Sequence, residues 1–103
     1  MVKVSYRSDG GEDQVVEVRE GDSLMTGAVF AGVPGIEGLC GGSISCGTCH
    51  LHVDPSWLEA VGAPGPSEQE LLQALDKSAF NSRLGCQIIA KSALDGLIVT
   101  VAT

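Results

Sequence analysis

The stretch "CGGSISCGTCH", residues 40–50, places Cys40, Cys46 and Cys49 close together, and Cys86 follows after 36 intervening residues. Five glycines fall between Gly35 and Gly47, too many for a stable helix or an interior strand, so the three clustered cysteines sit on a loop. Cys46 and Cys49 alone have the spacing of a thioredoxin-like dithiol, but that chemistry uses a helix start behind a strand. Here the pair lies among glycines and runs into a strand-like segment. Structural disulfides belong to secreted chains, and "MVKVSYRSDGGE" has no charged, then apolar, then small-residue signal pattern. Zinc held by four cysteines usually pairs two short Cys-x2-4-Cys knuckles, of which this chain has one. A [2Fe-2S] cluster needs thiolates arriving from several sides, which a wrapping loop and one distant cysteine provide.

The flanking segments predict an α+β domain. "VKVSYRS" alternates Val2, Val4 and Tyr6 against Lys3, Ser5 and Arg7, and "QVVEVRE" resumes the alternation through Val16 and Val18 after "DGGED" turns the chain. This is a β-hairpin pattern. Asp22 or Ser23 caps a helix with Leu24, Ala28 and Ala31 at helical spacing, ended by Gly32 and Pro34. "CHLHVDP" reads as a strand with Leu51 and Val53 on one side and His50 and His52 on the other, and "SWLEAVG" as a short helix closed by Gly62. "SEQELLQAL" reads as a helix with Leu71, Leu72 and Leu75 on its apolar face and with Ser67 and Glu70 at capping-box spacing. "DGLIVTVA" closes the chain with a strand carrying Leu97, Val99 and Val101. Strands at both ends with helices between them suggest a small mixed sheet carrying a helix. Aromatic residues make up only 4% of the chain, so the core is expected from Val, Leu, Ile and Ala, with Phe30, Trp57 and Phe80 as its few large pieces.

The plant-type cluster spacing is C-x4-C-x2-C; this chain has one residue more in the first gap. With that gap, "CGGSISCGTCHLHV" and "SRLGCQI" resemble the adrenodoxin and putidaredoxin group of [2Fe-2S] ferredoxins. "GDSLMTGAVFAGVPGI" and "LDGLIVTV" look like family segments too, so the resemblance covers nearly the whole chain. It implies a single β-grasp ferredoxin domain over residues 1–103, with a [2Fe-2S] cluster ligated by Cys40, Cys46, Cys49 and Cys86. It also implies one-electron transfer from an NAD(P)H-dependent flavoprotein reductase to a terminal oxygenase, either a cytochrome P450 or a ring-hydroxylating dioxygenase. Such a protein is a carrier and not an enzyme, since the cluster carries the chemistry and the chain positions and tunes it. Backbone N–H groups of Gly41, Gly42, Ser43, Ser45, Gly47 and Thr48 are candidates to face the sulfurs and stabilise the reduced state.

The same resemblance assigns roles around the cluster. His50 is expected to link the cluster loop to the rest of the fold by hydrogen bonds, whereas His52 reads as an exposed strand residue. Glu68, Glu70 and Asp76 mark an acidic helix that in similar ferredoxins meets basic patches on reductase and oxygenase. The capping box explains Glu70 without a partner, and the two roles are compatible. Gln73 stands where the family has a second partner-facing carboxylate, and Leu39 where some relatives are acidic. Both are docking candidates whose chemistry departs from the family's. Arg83 is expected in an ion pair with Glu68.

Composition narrows the partners. Six basic against thirteen acidic residues give a net charge of −7, which disfavours nucleic acid and anionic membranes and favours a basic protein surface. No run approaches the roughly 18 apolar residues of a membrane span, and the expectation is a soluble, cytoplasmic monomer. Two alternatives come from other classes: a ferredoxin of iron-sulfur cluster assembly, whose loops are commonly alanine-rich or glutamate-bearing where this chain has "GGSIS", and a zinc-stabilised binding module.

Overall fold

The computed structural model describes residues 1–7, 13–33, 36, 50–75 and 78–102. Strand β1 (Val2–Arg7) buries Val2, Val4 and Tyr6, and β2 (Asp13–Val18) buries Val16 and Val18. They pair antiparallel with Val4 opposite Val16, so the hairpin alternation puts one apolar face inward. β3 (His50–Val53), β4 (Ser82–Leu84) and β5 (Leu97–Val101) complete, among the described residues, a five-stranded sheet in the order β2-β1-β5-β3-β4. β5 runs parallel to β1 and antiparallel to β3, while β3 and β4 are antiparallel. The mixed sheet with helices is the α+β, β-grasp arrangement expected from the sequence.

Helix α1 (Leu24–Ala31) begins at Ser23, whose side chain accepts from the Thr26 amide at 3.0 Å, and ends at Gly32 in the left-handed conformation, φ 71°. Gly32 suits that cap because it carries no Cβ. Leu24 and Ala28 are buried, while Ala31, at the end of the expected face, is exposed. Phe30 is 88% exposed, contrary to its expected place in the core. It lies two residues past Ala28 and therefore roughly 200° around the helix from the buried stripe. Phe80 is 81% exposed and Trp57 half-buried. The fully buried aromatic of the described core is Tyr6, whose hydroxyl donates to the Leu24 carbonyl at 2.7 Å.

After β3, Asp54 accepts from the Ser56 amide at 3.0 Å and the Ser56 hydroxyl at 2.6 Å. A 3-10 turn (Pro55–Trp57) then leads into α2 (Leu58–Val61), which Gly62 closes with φ 79°. Helix α3 (Pro66–Gln73) departs from the expected capping box. Gly65 is its N-cap and Pro66 its first residue, with no side-chain capping bond, so Ser67 lies inside the first turn. Proline suits that place because its φ is already helical and its missing N–H would have no partner there. β4 was not legible in the sequence: all three of its residues are buried, two of them polar, so no alternation betrays it.

Candidate functional site

β3 and β4 bring the chain to the one described cysteine. His50, at the start of β3 and next to Cys49 in the sequence, is 2% exposed and pairs in register with Leu84 of β4. Its Nε2 is 2.8 Å from the Ser82 hydroxyl, which also accepts the Ala79 amide at 2.8 Å, and its carbonyl accepts from the Ala102 amide at 3.0 Å. The neighbouring His52 is half-buried, not exposed, with its ring edge-on to His50 at 5.2 Å between centroids. Both histidines lie on the same side of β3, so the outer side chain packs against the inner one.

Arg83 and Glu68 form the buried ionic centre of this end of the sheet. Arg83 Nε donates to Glu68 Oε2 at 2.7 Å and Nη2 to Oε1 at 3.2 Å, a two-point contact suited to the planar guanidinium. Nη1 donates to the carbonyls of Val61 and Gly62 at 3.2 and 2.9 Å, and Glu68 Oε2 also accepts the Leu84 amide at 2.9 Å. Both side chains are below a tenth exposed. Burial of opposite charges is tolerable only with such a full set of bonds, and none of the buried polar side-chain atoms described is unpaired.

The pair joins the end of α2, the first turn of α3 and β4. It corrects the expectation that Glu68 docks partners, since Glu68 is 3% exposed and its carboxylate is already bonded. Glu70 and Gln73, on the same helix, are exposed. With Ser67 inside the helix, the capping explanation of Glu70 falls away.

Cys86 follows β4 in a 3-10 turn (Gly85–Gln87) and is 9% exposed. The turn is anchored on either side, by the Leu84 amide bonded to Glu68 and by the Ile88 carbonyl accepting the Leu24 amide at 2.9 Å. The Gln87 side-chain amide donates to Cys86 Sγ at 3.4 Å. A fixed thiol that is in no disulfide and carries a donor on its sulfur fits a thiolate ligand of a metal cluster. Leu39 through Cys49, with the ligand candidates Cys40, Cys46 and Cys49 and the loop donors Gly41, Gly42, Ser43, Ser45, Gly47 and Thr48, lie outside the described residues, as does Asp76.

A family model for the 2Fe-2S iron-sulfur cluster binding domain matches residues 8–91. The chain belongs to this [2Fe-2S] ferredoxin family. Ferredoxin CarAc of Sphingomonas sp is 47% identical over 96 residues, covering 93% of this chain and 88% of that protein. A reduced putidaredoxin variant from Pseudomonas putida, 42% identical, superposes with a TM-score of 0.92 over 96% of this chain and 94% of that one. Putidaredoxin in covalent complex with putidaredoxin reductase, also 42% identical, superposes with a TM-score of 0.91 over 96% of both chains. The ferredoxin is thus a putidaredoxin-type electron carrier with a [2Fe-2S] cluster, and not an enzyme. No helix among its described residues is long and apolar enough to cross a membrane.

The sequence alone does not mark Ser82 or Gln87 as functional. The signal for Gln87 was adjacency to Cys86. Ser82 lies directly before the expected ion-pair residue, but its bond to His50 depends on strand register, which the sequence does not specify for a three-residue strand.

Proposed function

We propose that this ferredoxin receives single electrons from an NAD(P)H-dependent flavoprotein reductase and delivers them to a terminal oxygenase, a cytochrome P450 or a ring-hydroxylating dioxygenase, as a cytoplasmic monomer. The likeness to putidaredoxin bound to its reductase supports the first half of that path. The observation that carries the docking assignment is the division of labour on α3, where Glu68 is buried in an ion pair and Glu70, two residues on, faces solvent.

Cys40, Cys46, Cys49 and Cys86 hold the cluster in this reading, and when bound the cluster supplies a one-electron couple. The chain's residues do the rest. Arg83 and Glu68 hold β4 and the Leu84 amide, and so fix the backbone that presents Cys86. His50 and Ser82 tie the end of the cluster loop to β4, with the Ala102 amide holding the His50 carbonyl. Backbone N–H groups of the cysteine loop are, in this reading, the donors that would stabilise the reduced cluster. Glu70 meets a basic partner surface, beside Gln73, with Leu39 as an apolar contact near the first ligand. A carrier must leave its partners quickly, and charge steering speeds encounter without requiring tight binding.

The test is the rate of reduction by the cognate reductase for Glu70→Gln across ionic strengths. A slower rate at low salt with a shallower salt dependence is expected. Rates and salt slope equal to the parent protein's would remove Glu70 from the interface.

A further inference from the structure

The sequence points to backbone N–H groups of the cysteine loop as the donors that tune the cluster. The structure adds one from a side chain. Gln87 Nε2 lies 3.4 Å from Cys86 Sγ, and the half-buried Gln87 belongs to the same 3-10 turn as that cysteine. A thiolate bound to iron carries no proton and can only accept, so the –NH2 end of the carboxamide must be the end that faces it. The turn is held before and after by the Glu68 bond to the Leu84 amide and the Leu24 bond to the Ile88 carbonyl. The donor is therefore presented by a fixed backbone.

We propose that Gln87 is a positioning residue that sets the reduction potential through its hydrogen bond to Cys86 Sγ. The inference rests on Cys86 being a cluster ligand, as assigned above. One-electron reduction adds one negative charge to the cluster and its sulfurs and breaks no bond. A donor on a ligand sulfur stabilises that more negative state more than the oxidised one, and so raises the potential. Partial burial strengthens the bond, because water screens it less. Backbone donors are kept whatever side chain follows them, whereas this donor can be altered by a single substitution.

The experiment is an anaerobic potentiometric titration of the holoprotein as parent, Gln87→Met and Gln87→Glu, with visible spectra and thermal unfolding of each. Methionine keeps the length and removes the donor. It should lower the potential, moving the oxidised-to-reduced ratio at the parental midpoint by roughly three- to tenfold, where tenfold equals 59 mV for a one-electron couple. Glutamate keeps the shape and places a carboxylate beside a thiolate, so at neutral pH it should lower the potential further than methionine does.

A packing role predicts the opposite order, with the isosteric Gln87→Glu nearer the parent protein. That order, or a Gln87→Met potential equal to or above the parental one, overturns the proposal. Cys86→Ser checks the underlying ligand assignment separately. An unchanged visible spectrum in that variant would refute Cys86 as a ligand, whatever the Gln87 variants do.

Discussion

Two glutamates two positions apart on α3 serve different ends because a step of two residues turns a helix by roughly 200°. Glu68 points inward and bonds Arg83 and the Leu84 amide, while the Glu70 side chain is exposed and forms no hydrogen bond or ion pair with any described residue. Removing one partner of a buried pair leaves the other charge unpaired, at a cost of about 3–5 kcal/mol. Glu68→Ala should therefore lower stability by that amount in denaturant unfolding, whereas Glu70→Gln should leave stability within about 0.5 kcal/mol of the parent. Equal stability losses at the two positions would contradict the division. The pairing of Arg83 with Glu68 was readable from the family resemblance of "SRLGCQ". The burial that takes Glu68 off the surface was not, because it depends on where α3 begins.

The start of α3 is set by "GP" at residues 65–66, where proline at the first helical position outweighs the Ser67 and Glu70 spacing. β1, β2, β5 and α1 read more directly, since period-two alternation marks the strands, and Asp22 or Ser23 with Gly32 bounds the helix. The phenol of Tyr6 ties α1 to β1 through Leu24, and burial pushes its pKa above the ordinary 10.0. A raised folded-state pKa gives a contribution that is complete below pH 10.0 and declines as pH rises beyond it, because the unfolded chain can ionise its phenol and the native one resists. Tyr6→Phe should lose about 1 kcal/mol with the hydrogen bond and flatten that alkaline decline. Chemical denaturation at pH values on both sides of 10.0 measures both effects, and an unaltered slope in the variant would assign the decline to other groups.

The sheet order β2-β1-β5-β3-β4 puts β5 in the centre and β3 with β4 at one edge. That edge carries the His50 and Ser82 contact, the Arg83 and Glu68 pair, and the turn that presents Cys86. The [2Fe-2S] cofactor was legible from the cysteine motifs together with the family they resemble, since a glycine loop and one distant thiol can enclose a cluster whatever the fold. The neighbours that hold Cys86 were hidden in a strand of three buried residues with no periodic pattern.

As a carrier, this fold holds one two-iron cluster as a one-electron store. The measurement is a titration of the anaerobically purified protein with a chemical reductant, followed by its visible spectrum, with its iron and sulfide content determined. The expected result is a brown protein with two irons and two sulfides per chain that bleaches on uptake of one electron. A colourless, zinc-replete protein, or one that takes up no electron, would rule out a [2Fe-2S] carrier.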